Sequence, residues 1–243
     1  SGDLFWTVPN SFVATANCGV LCGLKIDFLD IDPDTWNISI ERLEKKLKIA
    51  KKKKRLPKLI IIVHLGGLPV NPIKLNNLSK KYKFKIIEDA SHSLGGKYYS
   101  KSVGCSKWSD ITIFSFHPVK IITTGEGGAV LTNSPNLIKK LKIFRGHGIT
   151  KNKKDYVFKN NQPWYYEQHL LGYNYFITDF QSALGISQLK RIDKFINKRK
   201  KIYKWYEKKL NFNGYKSLVQ KKDRKSSLHL YIIKFNKGLN LRN

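Results

Sequence analysis

The chain has 243 residues, 41% hydrophobic and 12% aromatic, which is enough apolar material for one sizeable core and part of a second. Its longest apolar run, around Leu59 to Leu65, is far too short to span a bilayer, and Ser1-Gly2-Asp3 lacks the basic start and apolar centre of a secretory signal, so a cytoplasmic protein without a membrane partner is expected. Lys and Arg number 46 against 17 Asp and Glu, a net charge of +29, but the lysines are spread over the whole length; with abundant Asn and Ile this reads as codon bias toward A and T rather than as a nucleic-acid surface.

The predicted elements alternate. Leu4–Val8 reads as a strand and Phe12–Cys22 as a small-residue helix, followed by a strand at Lys25–Leu29. Ile40–Lys53 carries Leu43, Leu47 and Ile49 or Ala50 at helical spacing, with Asn37 or Ser39 as its cap. Leu59–Val63 is a continuous apolar strand of the buried parallel type. A helix over Pro72–Tyr82, strands at Lys85–Glu88, Ile111–Ser115 and Ala129–Thr132, and a helix over Pro135–Phe144 with Leu137, Ile138, Leu141 and Phe144 on one side come next. Asn152–Pro163 is polar and reads as an irregular loop. One long helix from about Asp179 to Leu210, striped by Leu184, Ile186, Leu189, Ile192 and Ile196, leads to a strand at Leu228–Phe235.

This alternation predicts an α/β fold, a mostly parallel sheet with helices on both faces. The expected organisation is a large α/β domain over residues 1–176, a connecting helix over 177–210, and the start of a small α+β domain over 211–243. Cys18, Cys22 and Cys105 are odd in number and lack metal-ligand spacing, so they read as reduced thiols and no metal is expected. The sequence contains no Met, for which a piece of a longer chain is the simpler explanation.

Three local features carry chemistry. In Ile86-Ile87-Glu88-Asp89-Ala90-Ser91-His92, Asp89 ends an apolar strand, where α/β sheets place their ligands, and a buried carboxylate there needs a positive partner or backbone donors. In Asp110-Ile111-Thr112-Ile113-Phe114-Ser115-Phe116-His117-Pro118-Val119-Lys120, a strand delivers Ser115 and a turn presents Lys120; a desolvated lysine is a nucleophile toward a carbonyl, whereas a surface lysine is inert. Thr123-Thr124-Gly125-Glu126-Gly127-Gly128-Ala129 permits close backbone approach, at a spacing that fits neither a dinucleotide fingerprint nor a P-loop.

Taken in order, these features resemble the fold-type-I pyridoxal-phosphate enzymes, and more narrowly the DegT-type sugar aminotransferases. The likeness continues through Thr7–Asn17, Leu171-Gly172-Tyr173-Asn174-Tyr175 and Ala183–Leu189. Leu4–Thr7, Ser115–Thr124, His147–Thr150 and Pro163-Trp164-Tyr165-Tyr166-Glu167 look like the branch of that family in pseudaminic acid formation. The resemblance implies pyridoxal 5′-phosphate as cofactor, held on Lys120 as a Schiff base and paired through its pyridinium with Asp89. It implies amino transfer from L-glutamate to the keto carbon, C4 in that branch, of a UDP-linked 4-keto-6-deoxy-N-acetylhexosamine.

Residue by residue, the resemblance puts Phe12 on the cofactor face, where core packing is the alternative, and Ser115 on the phosphate. His92 lies beside the ring, where a satisfied polar residue of the sheet is the alternative. Asn174 reaches the phosphate of a neighbouring subunit, so a homodimer is implied. Glu126 and His229 are weaker substrate candidates, against turn-shaping and plain strand roles. Two positions depart from the family pattern: Phe176 stands where relatives carry Arg, and Leu68 where Gln is common. The family's phosphate-binding turn, Gly-Thr/Ser-x-Ala, would lie upstream of Gly2-Asp3, and much of the small domain beyond Asn243, so the chain is expected to be a fragment that binds cofactor weakly or not at all. The alternatives are another nucleotide-sugar aminotransferase, a dehydratase on the same fold (the known dehydratase variants replace the lysine with histidine), a non-catalytic regulator, and a basic nucleic-acid-binding protein.

Overall fold

A computed structural model describes residues 2–210 and 214–235. Its centre is a six-stranded sheet formed by β1 (Leu4–Thr7), β2 (Lys25–Phe28), β3 (Leu59–Val63), β4 (Lys85–Asp89), β5 (Ile111–Ser115) and β6 (Gly128–Leu131), in the order β2-β1-β3-β4-β5-β6. All neighbours run parallel except β5 and β6, which pair antiparallel with Ser115 opposite Gly128. The expected mixed, mostly parallel sheet is therefore present. Its register sets Val63 against Asp89 and Asp89 against Ile113, so the functional strand ends share one edge.

Side-chain alternation along β1 sorts the helices to the two faces. Trp6 enters a core with Ile60, Ile62 and Ile86, covered by α2 (Ile40–Lys52) and α3 (Pro72–Tyr82) through Leu43, Leu47, Leu75 and Leu78. Phe5 points the other way, onto α1 (Ala14–Leu21), and a Cβ on Gly19 would stand 2.4 Å from its ring. Ser39, not Asn37, caps α2 by accepting from the Arg42 amide. Asn37 instead accepts from Leu65 N and donates to Leu68 O, both at 2.9 Å, which pins the loop after β3. Asn71 caps α3 with Pro72 in its first turn, and Lys83 ends it in the left-handed conformation.

The helix expected over Pro135–Phe144 forms as α4 (Pro135–Arg145), with none of its residues buried and with Ile138 and Phe144 exposed. Three expectations need correction. The first helix starts at Ala14, leaving Phe12 and Val13 in the preceding turn. The single long helix is two, α5 (Asp179–Leu189) and α6 (Ile192–Lys209). No Gly or Pro marks the break. The two halves have separate seats: Gln181 and Gln188 of α5 bond to the Thr123–Glu126 turn, while Ile192 and Ile196 of α6 press on Gly95. The turn at Lys190–Arg191 lets both be met, and the Arg191 guanidinium donates to Ser187 O across it. Finally, only Ile233–Phe235 of the tail is a strand, paired antiparallel with Tyr215–Ser217. Residues 228–230 turn away because Leu228 has φ +55° and the His229 and Leu230 amides bond to Gly66 O. The expected small-domain start also includes residues 211–213 and 236–243, which lie outside the described residues.

Leu43 is fully enclosed, so Leu43→Ala will lower unfolding stability by about 2–5 kcal/mol in denaturant titration, whereas Ile49→Ala, at a position 56% exposed, will change it by less than about 0.5 kcal/mol.

Candidate active site

The edge where β3, β4 and β5 end carries the polar cluster. Successive residues of β4 point to opposite faces. Glu88 turns inward, 8% exposed, and is met by His64 Nε2 at 3.4 Å and Thr112 Oγ1 at 3.2 Å. His64 Nδ1 accepts from the Val70 amide at 3.0 Å, which leaves the ring proton on Nε2, facing the carboxylate. Burial pushes the Glu88 carboxyl up, and the His64, Ser109 and Thr112 contacts together outweigh it, so the group lies below the usual range.

Asp89 faces the other way. Its Oδ2 accepts from Thr15 Oγ1 at 2.7 Å, and Thr15 in turn contacts Ser11 Oγ at 2.8 Å. Its Oδ1 accepts from Ser91 Oγ at 2.6 Å and from Ser91 N at 3.2 Å. Helix α1 is thus tied to the strand end through one carboxylate. Thr15 and Ser91 were not singled out from the sequence; Ser91, two residues after an aspartate at a strand end, was the legible signal.

Lys120 is half-buried in the turn after β5. Its amide donates to His117 O at 2.9 Å, and the turn is closed by Phe116 N to Gly127 O at 2.8 Å and Thr124 N to Phe116 O at 3.0 Å. Gly127 has φ +153°, and a Cβ there would stand 2.4 Å from Thr124 Oγ1, so the glycine-rich sequence serves this close approach. Desolvation lowers the Lys120 ammonium below the ordinary lysine range, with the negative charge of Asp89 opposing it. Lys120 is therefore partly withdrawn from water rather than fully exposed.

Two imidazoles stand in electrostatic reach of Lys120. The rings of His92 and His229 lie 4.4 Å apart and tilted by 39°. Ser227 Oγ bonds to His92 O at 2.7 Å, and Arg199 of α6 donates to His229 O at 3.0 Å, which brings the tail segment over the sheet edge. Desolvation, then the Lys120 charge, holds His92 down at about 4 against the pull of Asp89. Desolvation, then His92, Lys120 and Arg199, holds His229 at about 3. Both are neutral at neutral pH. Their Nδ1 atoms are buried and make no hydrogen bond. A buried polar atom left unmet is costly, so each Nδ1 has room for one further hydrogen-bond partner. His92 is thus not a satisfied sheet residue.

The remaining candidates fall in two groups. Ser115 is half-buried at the end of β5, and its Oγ accepts only a long bond from His117 N, at 3.4 Å. Phe12 is 76% exposed, which excludes core packing as its role. Glu126 is set apart: its side chain is 74% exposed and 3.8 Å from His117 Nε2, while its backbone carbonyl takes Thr124 Oγ1 and Gln181 Nε2, so it shapes the turn. Asn174 is exposed and bridges to Gly146, away from the cluster in its own chain. A half-buried lysine beside a fixed carboxylate, with two unmet neutral imidazoles, suits a carbonyl-bearing, cationic-ring cofactor. Among the described residues no cluster of potential ligands suits a metal, and no helix is long and apolar enough to cross a membrane.

The comparisons agree with this geometry. The family model described as DegT/DnrJ/EryC1/StrS aminotransferase family matches residues 1–243. The chain is 43% identical over 228 residues to the UDP-4-amino-4,6-dideoxy-N-acetyl-beta-L-altrosamine transaminase of Campylobacter jejuni (serotype O:23/36), covering 93% of this chain and 57% of that protein. Its fold superposes with a TM-score of 0.85, at 33% identity, on Helicobacter pylori PseC, an aminotransferase involved in the biosynthesis of pseudoaminic acid, over 98% of this chain and 60% of that one. The PLP-form of the putative sugar aminotransferase Spr1654 from Streptococcus pneumoniae gives a TM-score of 0.81 at 26% identity, over 97% and 61% of the two chains. The chain thus spans less than two thirds of the length of these relatives.

The depressed histidines make a pH test. The unfolded chain takes up protons near the ordinary value of about 6.5, before the folded one does, so stability falls as pH drops from about 6.5 toward 4. Urea midpoints at pH 7 and pH 5 will show that fall, and His229→Gln will make it shallower; an unchanged slope would contradict a buried neutral His229. The family model matches the full length given and the Campylobacter relative is 43% identical over 93% of it, so the chain belongs to the DegT/DnrJ/EryC1/StrS aminotransferases.

Proposed function

We propose that this chain supplies the pyridoxal-phosphate site of a nucleotide-sugar aminotransferase. The reaction assigned moves the amino group of L-glutamate to C4 of a UDP-linked 4-keto-6-deoxy-N-acetylhexosamine. Glutamate leaves as 2-oxoglutarate, and the sugar carbonyl carbon gains nitrogen and hydrogen. The observation that carries the reading is the convergence of desolvated Lys120, fixed Asp89 and the neutral His92–His229 pair at one sheet edge. The likeness to the Campylobacter transaminase and to PseC supports the sugar class.

Bound at this edge, pyridoxal phosphate supplies an electrophilic carbonyl and an electron-accepting ring. Lys120 would hold that group, and its amine, less inclined to stay charged because it is desolvated, would take and return the proton at the carbon that bears the transferred amino group. Asp89, itself held by Thr15 and Ser91, would keep positive charge on the ring nitrogen. Ser115 would bind the phosphate through its hydroxyl. His92, with its Nδ1 unmet, would serve the ring substituents, and His229, brought in by the tail, would serve the sugar. Phe12 would contribute its ring to holding the cofactor. A lysine at position 120 argues against the dehydratase alternative.

The active unit is a homodimer in which Asn174 of one copy reaches the phosphate site of the other. Phe180, Leu171 and Trp164, exposed to 90%, 85% and 72% in the single chain, are apolar side chains that a second copy could cover.

Borohydride reduction of the protein with pyridoxal phosphate will attach the cofactor's mass to the peptide containing Lys120, and Lys120→Ala will abolish amino transfer from glutamate to UDP-keto-sugars. Label on a different lysine, or transfer that survives Lys120→Ala, would overturn the assignment.

A further inference from the structure

The segment between α4 and α5 carries Pro163-Trp164-Tyr165-Tyr166-Glu167, which has no place in the cluster around Lys120. At its centre Glu167 is 8% exposed and takes four hydrogen bonds. Val157 N donates at 2.7 Å, Phe158 N at 2.9 Å, Tyr165 OH at 3.1 Å and His169 Nε2 at 2.8 Å. An ionised carboxylate only accepts, so every one of these partners points a hydrogen at it. Burial works against its charge, and the His169, Phe158, Val157 and Tyr165 bonds outweigh that, holding the carboxyl at about 2.

A second shell of contacts ties this knot to the fold. Tyr156 OH donates to Tyr165 O at 2.7 Å, and the two rings meet edge-on, 5.0 Å apart. Asp155 pairs with Lys139 of α4 and takes Asn152 Nδ2 at 3.1 Å. Glu167 itself stands opposite Thr150 in a short antiparallel pair, Ile149–Thr150 with Glu167–Gln168. From there the chain is pressed onto residues 144–148. His169 N bonds to Gly148 O at 2.9 Å, His147 N to Tyr173 O at 2.9 Å, Tyr173 N to Phe144 O at 2.8 Å, and Tyr175 N to Arg145 O at 3.0 Å. A Cβ on Gly148 would stand 1.7 Å from Leu170 O, so the backbones touch with no room between them. Asn174 sits within this pressed segment.

We infer that Glu167 is a positioning residue: its carboxylate fixes the loop of residues 152–168 and, through the short pair that follows, the path of the segment that carries Asn174. The inference rests on the reading above that Asn174 reaches the cofactor phosphate of a second copy. It assigns Glu167 no contact with cofactor or sugar. Its effect is to hold Asn174 where that contact is made, at the cost of burying one of the chain's few acids.

The test compares three variants of the full chain. Glu167→Gln keeps the shape but turns an NH2 group toward partners that are all donors. Trypsin will then cut at Lys151–Lys159 about tenfold faster, and the dissociation constant for pyridoxal phosphate, read by absorbance, will rise about tenfold. Tyr165→Phe, which removes one of the four bonds, will move both readouts less and in the same direction, and serves if Glu167→Gln does not fold. Asn174→Ala will weaken the cofactor to a similar extent while its loop resists trypsin like the unaltered protein. If Glu167→Gln and Tyr165→Phe keep the original protection or the original cofactor affinity while Asn174→Ala weakens it, the inference is wrong and the Asn174 reading stands. If Asn174→Ala binds cofactor normally, that reading fails and takes the inference with it.

Discussion

Two adjacent carboxylates at the end of one buried strand set the conditions for everything around them. Glu88 and Asp89 cannot share a partner, because strand geometry sends neighbouring side chains to opposite faces. Each must be satisfied separately, since an unmet buried charge costs more than the fold can spare. On one face His64, locked by the Val70 amide, and Thr112 meet Glu88. On the other, Thr15 of α1 and Ser91 of the next turn meet Asp89. The first arrangement locks the ends of β3, β4 and β5 together. The second attaches a helix to the open edge and leaves a carboxylate fixed in place but still half-exposed. A site that must hold a positive ring nitrogen needs that combination of rigidity and access.

The antiparallel last strand then brings the chemistry back to the same edge. Had β6 run parallel, the glycine-rich segment would have lain at the far end of the sheet. Because β6 reverses, Gly128 pairs with Ser115 and the turn that presents Lys120 closes over its own strand. Helix α5 braces that turn through Gln181 and Gln188, and α6 takes its own seat on Gly95. The break between the helices is therefore the consequence of serving two anchor points. Arg199, on α6, is what carries this bracing to the tail segment and so to His229.

How much of this was legible in the sequence depends on distance along the chain. The strand ends at Asp89 and Ser115, the Lys120 turn and most element types were readable because each is written in a few consecutive residues. The Thr15–Asp89 bond was not, since it joins residues 74 apart and depends on which helix lands on which strand end. Ser227 and His92 are 135 apart, and the pairing of His92 with His229 follows from that contact. The helix break was hidden because the apolar stripe runs through it without Gly or Pro. Asn174 and Phe12 were nameable only through the family resemblance; no local pattern says that an exposed residue has a task in a second copy.

The charge balance ties these points together. The chain has 17 acids against 46 bases; some of the acids, such as Glu41 and Asp30, stand exposed, while others are held by specific donors. Asp32 accepts from Asp34 N, Thr35 N and Thr35 Oγ1, and Asp110 accepts from Ile86 N. Glu88, Asp89 and Glu167 each collect several donors from separate segments. Lysine cannot replace any of them, because each position requires an acceptor and an ammonium only donates. Exposed helix faces impose no such requirement. The exposed lysines of α6, for example, lie apart from the face that carries Ile192, Ile196 and Arg199 onto the rest of the fold. Lysine is therefore tolerated over exposed faces but not at these carboxylates, so a net charge of +29 is compatible with an intact polar framework of the site.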